Sequence, residues 1–291
     1  MNASTLRYSL AVYRYKKIRI YNYYTRRLLR NTLPAYPNTD TQPGGQTKQG
    51  YSPLGTSPAI YHFALSLKIS FLLHHFFSVG RIKEVEHRVD LISEGMLGRN
   101  AGLSADKLLL YLMRYISAKR FNKDSHIHVE IGTLHGGSLI ATLIALQDAG
   151  SPQRVVCIDP LDGYYGAGLD PKSAVPVDRN TVEENINRFG FARRQVKIVQ
   201  HYSTEKKAIG ALKGHKIASL FIDGDHSYEG IKADWANYAP LVVPRGYVML
   251  DNYNDASWPG ITEFVHRELK GCSEEWQIVG TMNISVLLQR K

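Results

Sequence analysis

Residues 129–146 read VEIGTLHGGSLIATLIAL: an apolar run carrying Glu130, a turn holding Gly132, Gly136 and Gly137, and then an apolar stretch of helical length. Strand, glycine turn and helix in that order predict the opening unit of a doubly wound sheet. In such sheets, ligands bind outside the carboxyl ends of the strands where the strand order reverses. The glycines let the backbone turn sharply and approach a ligand, and the helix N-terminus that follows favours an anionic group. The spacing is not G-x-G-x-x-G, so the turn does not specify a nicotinamide fingerprint and a dehydrogenase is the weaker reading.

Outward from this unit the pattern repeats. Short apolar strands are predicted at His126 to Ile131, Arg154 to Ile158, Gln195 to Gln200, Ile217 to Ile222 and Gly246 to Leu250, with helices at Ser138 to Gln147, Thr181 to Phe189 and Tyr228 to Leu241. Upstream, Val85, Val89 and Ile92 mark one amphipathic helix and Leu103 to Tyr115 another. The last residues break the rhythm: Trp276 to Gly280 and Asn283 to Leu288 are strands joined by a short turn, which predicts an antiparallel pair at a sheet edge. The expected fold is α/β: a Rossmann-like, seven-stranded, mostly parallel sheet with an antiparallel edge pair and helices on both faces.

Chemistry concentrates at the predicted strand ends. Asp159 follows VVCI, Asp223 follows SLFI, and Asp251-Asn252 follows YVML. Asp159 is placed to accept hydrogen bonds from ribose hydroxyls. A βαβ unit occupies about 30 residues, so the ends at Asp223 and Asp251 are expected side by side. Crowded carboxylates repel, and a divalent cation removes the conflict. Asp223, Asp251 and Asn252 offer only hard oxygen donors, which suit Mg²⁺, Ca²⁺ or Mn²⁺. In FIDGDHSYEG, Asp225 and His226 are then left to take a proton from a substrate hydroxyl, and the sequence does not rank them.

The segments EIGTLHGGS, CIDP and FIDGDHSYEGIKADWANYAPLVVPRGYVMLDN together resemble the class I S-adenosylmethionine-dependent methyltransferases. The likeness is to the branch with cephalosporin-hydroxylase-like and macrolide-sugar O-methyltransferases, the methyltransferase domain family 24 type, and it covers about residues 125 to 290. It implies that Glu130, Gly132, Gly136 and Ser138 surround the methionine end of S-adenosyl-L-methionine. It also implies that Asp159 holds the ribose and that Tyr202 and Ser203 lie near adenine. Asp223 with Asp251-Asn252 resembles the magnesium trio of catechol and caffeoyl-coenzyme A O-methyltransferases, which carry a catalytic lysine where His226 stands here. In related sugar O-methyltransferases the second aspartate of DGD, here Asp225, is the proposed base. The expected activity is metal-assisted O-methylation of a sugar, glycan or other small molecule with adjacent oxygens; the alternative is a non-methylating or non-catalytic member of the family whose basic N-terminal segment binds a membrane or a polyanion. The long connection Leu161 to Asp178, with Tyr164 and Tyr165, is expected to form a lid, and Trp258 to overhang the same rim.

Over 291 residues the formal charge is +10. The first 83 residues hold 12 Lys/Arg against the single acid Asp40, so the basicity belongs to the leader and the rest is near neutral. The expected division is therefore 1–83, a basic leader, linker and apolar helix, and 84–291, the methyltransferase domain. Basicity alone gives only nonspecific attraction, so nucleic acid is not the expected partner. Ala59 to Val79 carries Lys68 and three histidines, which favours an interfacial or packed helix over a membrane span. The reading is a cytoplasmic protein, with peripheral membrane contact through residues 1–83, a targeting peptide and a homo-oligomer all left open. Cys157 and Cys272 are too few for a disulfide framework.

Overall fold

The computed structural model describes residues 58–102, 104–121, 125–269 and 274–291, with side chains from residue 65 onward. Residues 1–57, including the leader, the Pro/Gly linker and any targeting peptide, lie outside the described residues, as does Cys272. Three helices come first: α1 (Pro58–Phe76), α2 (Val79–Gly95) and α3 (Ser104–Arg120). The alternating part follows as β1 (His126–Ile131), α4 (Gly137–Ala149), β2 (Val155–Ile158), α5 (Arg179–Arg188), β3 (Val196–Val199), α6 (Lys206–Gly210), β4 (Lys216–Ile222), α7 (Tyr228–Tyr238), β5 (Val242–Leu250) and α8 (Pro259–Glu268). The chain ends in β6 (Trp276–Met282) and β7 (Ser285–Arg290).

The seven strands form one sheet in the order β3-β2-β1-β4-β5-β7-β6. The first five are parallel, whereas β7 runs antiparallel to both β5 and β6, so the expected edge pair is present. The order reverses between β1 and β4, where crossovers leave in opposite directions. β2 is a wholly buried apolar run, and β1 and β4 are buried along all but their first residue, because helices cover both faces. One apolar cluster packs α1 to α5 on one face, and a second packs α6, α7 and α8 on the other.

Register decides where the chemistry sits. Ile131 pairs with Ile158 and with Ile222, and Ile222 pairs with Leu250, so the four strands end in one row. One residue further on, Gly132, Asp159, Asp223 and Asp251 share a single rim.

β5 starts at Val242 rather than Gly246, because Val242 pairs with Ile217 before the ladder shifts at a bulge. Arg245 adopts φ 64 there, so the Pro244-Arg245-Gly246 break is an irregularity inside the strand and does not end it. β7 starts at Ser285 because Asn283, at φ 49, belongs to the preceding turn.

The 83/84 division falls inside α2. α1 buries Leu65, Ile69 and Leu73 at four-residue spacing, one stripe of a helix facing the core, and Phe77 just past its end continues the stripe. Each such side chain contributes about 1.5–3 kcal/mol gross on burial. Gly280 admits the helix: a Cβ there would lie 2.5 Å from the Leu65 carbonyl oxygen. Among the described residues no helix is long and apolar enough to cross a membrane.

α3 is pinned beneath the rim by Arg114, which is fully buried. Its guanidinium donates to the carbonyls of Ser219 (2.7 Å) and Val129 (2.8 Å), tying the helix to β4 and β1. Burial pulls its pKa down to about 10, against the opposing charge of Glu130.

Candidate active site

A cavity of about 600 Å³ opens at the rim and is lined by the glycine turn, Asp159, Asp223, Asp251, Asn252 and the connection after β2. Its position is the expected one, at the strand-order reversal.

On the glycine side, Gly132 (φ 79) brings the turn against Asp223, and Gly136 (φ 90) precedes α4. Gly132 and Ser138 lie on the cavity wall, whereas Glu130 is fully buried behind them. Glu130 Oε1 accepts from Ser138 Oγ at 2.7 Å, while Oε2 finds no hydrogen-bond partner among the described residues. Burial raises this carboxyl to about 7, although Arg114 and Ser138 oppose the rise. It is therefore an acid poised near neutrality, with one oxygen unsatisfied.

Asp159 is also on the wall. Its Oδ2 accepts from Thr133 N (2.7 Å) and its Oδ1 from Leu161 N (2.8 Å), so it clamps the glycine turn to the chain after β2. A carboxylate has about four acceptor sites, so both oxygens retain capacity for a ligand. Burial raises its pKa, and those backbone bonds limit the rise. Tyr202 and Ser203 line the far end, where Tyr202 Oη donates to Asp162 Oδ2 at 2.7 Å and the Ser203 carbonyl accepts from Tyr238 Oη at 2.5 Å.

On the acid side, Asp223, Asp251 and Asn252 face one cavity. Asn252 adopts φ 56, which asparagine tolerates, and its Nδ2 donates to Asp255, leaving the amide oxygen as a donor atom for an ion. Asp251 Oδ1 lies 2.6 Å from Ser285 Oγ, and that hydroxyl is also 2.9 Å from Asp106 Oδ1. A hydroxyl has one hydrogen and satisfies one of these contacts, so the other needs a proton on a carboxyl. Burial, followed by the charges of Asp223 and Asp106, pushes Asp251 well above the carboxylate range, in keeping with a shared proton. Among the described residues no three His, Cys, Asp or Glu side chains gather closely enough to hold an ion.

Asp106 and Lys107 of α3 reach this wall, and sequence reading missed both. Lys107 Nζ donates to the carbonyls of Ala101 (2.7 Å) and Gly102 (2.9 Å). Burial lowers its pKa while Asp106, Asp251 and Asp223 oppose the shift. The only sequence signal was a charged pair ahead of an apolar run, which reads as an ordinary helix start.

The two candidate bases have different surroundings. Asp225 Oδ1 accepts from Ser227 N at 2.8 Å, closing a tight turn before α7. His226 stands between two partners, with Nε2 3.2 Å from Asp223 Oδ1 and Nδ1 3.2 Å from Tyr165 Oη. A carboxylate oxygen accepts, so Nε2 carries the hydrogen and the Nδ1 lone pair faces the Tyr165 hydroxyl. Trp258 lies against the imidazole, ring centres 4.6 Å apart. The connection over the cavity is tied down by Arg99, whose Nε pairs with buried Asp170 Oδ1 at 2.9 Å and whose guanidinium lies 5.4 Å from the Tyr164 ring centre.

Residues 129–253 match the family described as Methyltransferase domain, as the motifs lead one to expect. A curated relative, uncharacterized protein R132 of Acanthamoeba polyphaga mimivirus, is 28% identical over 169 residues. That alignment covers 57% of this chain and 66% of the viral protein, just under two thirds of its length. Among solved structures, the O-methyltransferase NovP aligns at 17% identity over 71% of this chain and 99% of its own, with a TM-score of 0.47. The O-methyltransferase TomG from Streptomyces achromogenes, solved in complex with SAM, aligns at 18% identity over 79% of this chain and 98% of its own, TM-score 0.45.

Proposed function

We propose, from the premise that residues 129–253 are a methyltransferase domain, that this chain transfers a methyl group from S-adenosyl-L-methionine to a hydroxyl oxygen. The acceptor in this reading is a sugar, glycan or other small molecule with adjacent oxygens, and a divalent cation assists. The observation that carries the proposal is the single cavity joining the glycine turn and Asp159 to Asp223, Asp251, Asn252 and His226.

S-adenosyl-L-methionine, when bound, supplies an electrophilic methyl on a sulfonium. Ser138 with Glu130 behind it would face the methionine end, Asp159 the ribose, and Tyr202 and Ser203 the adenine. A hard cation such as Mg²⁺, held by Asp223, Asp251 and the Asn252 amide oxygen, would supply Lewis acidity toward a chelating pair of substrate oxygens. The crowding of Asp106, Asp223 and Asp251 beside Lys107, whose ammonium is already engaged by two carbonyls, supports that fit. His226 Nδ1 takes the hydroxyl proton as the oxygen gains the methyl, and Asp223 holds the imidazole in the tautomer that leaves Nδ1 free to accept. Asp225 is the second candidate for this role.

The test is transfer of radiolabelled methyl to catechol and to a methyl glycoside diol, with chelator and then with Mg²⁺ restored. A loss of about tenfold or more that Mg²⁺ restores is expected. Activity indifferent to chelator rejects the ion, and no transfer to any diol despite cofactor binding rejects the acceptor class.

Glu130 adds a pH dependence. Its carboxyl, raised to about 7, is largely neutral below that pH and ionised above it. A cationic methionine end is therefore bound more tightly as pH rises from 6 to 8. Calorimetric titration of S-adenosyl-L-methionine across this range checks the sign, and Glu130→Gln is expected to flatten the slope.

A further inference from the structure

We infer that Tyr165 occupies, with its own hydroxyl, the place at His226 Nδ1 that an acceptor hydroxyl must take, so that this side chain competes with substrate for the base. The inference rests on the reading of His226 as proton acceptor given above.

The geometry is that of a substrate stand-in. Tyr165 Oη lies 3.2 Å from His226 Nδ1, the one ring nitrogen not turned toward Asp223. Partial burial pushes the phenol up to about 12, so it keeps its hydrogen at neutral pH and donates it to the imidazole. The ring lies 6.4 Å from that of Trp258 at 26°, nearly parallel, and meets Tyr164 edge-on at 4.9 Å. A hydroxyl carried on a flat ring thus already sits at the base, with an indole along one side.

The placement is held against local preference. Tyr165 has φ 50 and ψ 42, left-handed values that a bulky side chain rarely adopts, in a connection that turns at Gly163 and Gly166. The residue is also 65% exposed, so its side chain can swing away without opening the core. A contact that is strained at the backbone and loosely anchored at the side chain suits a group that yields to an incoming ligand. Tyr164, by contrast, is held beneath the Arg99 guanidinium and stays as a wall when Tyr165 leaves.

The experiment compares the full-length chain with Tyr165→Phe, which keeps the ring and removes the hydroxyl. Losing one competing hydrogen bond is expected to lower KM for catechol by about threefold to tenfold, with kcat nearly unchanged. An unchanged KM overturns the competition, and a raised KM or a fall in kcat overturns it in favour of substrate binding or catalysis by Tyr165. A second readout needs no turnover: nitrogen-15 shifts of the His226 ring in the ligand-free chain. The unprotonated Nδ1 is expected to move toward the free-acceptor position in Tyr165→Phe while Nε2 stays protonated. No movement overturns the inference. Absence of methyl transfer by the unsubstituted chain instead counts against the function proposed above, and the nitrogen readout still decides the contact.

Discussion

Replacing His226 by alanine is expected to lower kcat for methyl transfer by about 10²- to 10⁴-fold, the span over which a positioned general base contributes. Affinity for S-adenosyl-L-methionine should change by less than about twofold, because nothing on the glycine side of the cavity touches the imidazole. The expectation follows from the two hydrogen bonds of the ring. Asp223 accepts the hydrogen bond from Nε2, which leaves Nδ1 as the ring nitrogen able to accept a proton. Asp225 has one oxygen already bound to Ser227 N, so Asp225→Asn should cost less than about tenfold. The pair is measured together in single-turnover assays, with thermal melting to show that each variant folds. If Asp225→Asn carries the large loss and His226→Ala the small one, the roles are reversed and the base is the aspartate.

This division of labour between neighbouring residues lay beyond the sequence, while the rim itself did not. A parallel strand buried on both faces reads as an unbroken apolar run, so the first acid after VVCI, SLFI or YVML marks the strand's end, and the ladder sets those ends level. Asp159, Asp223 and Asp251 were legible for that reason. Which oxygen of Asp225 turns back on its own loop, and which nitrogen of His226 faces outward, depends on torsions that no spacing encodes. Contacts between distant segments were equally hidden. Ser285 joins Asp251, just past β5, to Asp106 of α3 across 179 residues of chain on the Asp106 side, and Tyr165 meets His226 across 61. The resemblance assigns Glu130 to the cofactor site, and no spacing tells that Glu130 lies off the cavity wall, bonded to Ser138, which is on it. The bulge in β5 misled for a simpler reason: Pro244, Arg245 and Gly246 are turn residues by composition, and only pairing with β4 shows that the strand runs through them.

Substituting Gly132 by alanine is expected to be strongly destabilising. Gly132 has φ 79, and a Cβ built there would lie 2.1 Å from the carbonyl oxygen of Asp223 and 2.6 Å from its carbonyl carbon. Both atoms are backbone, so no rotamer change relieves the overlap. β1 and β4 would have to part at their ends, although Asp223 N bonds to Ile131 O at 2.8 Å at that point. Gly150 supplies the control, since it is also left-handed (φ 63) but has nothing within 4 Å of its hypothetical Cβ. Gly150→Ala isolates the conformational penalty, about 1–2 kcal/mol. Gly132→Ala adds the clash and is expected to cost more than about 3 kcal/mol, which for a domain of this size lowers Tm by roughly 10 °C. The ligand consequence is separable from the stability loss. Forcing the strand ends apart moves the glycine turn away from Asp223, so the variant is expected to lose S-adenosyl-L-methionine binding even at temperatures where it remains folded. Equal melting points for the two alanine variants would mean that the β1 and β4 termini do not meet as described, and the cavity between them would lose its basis.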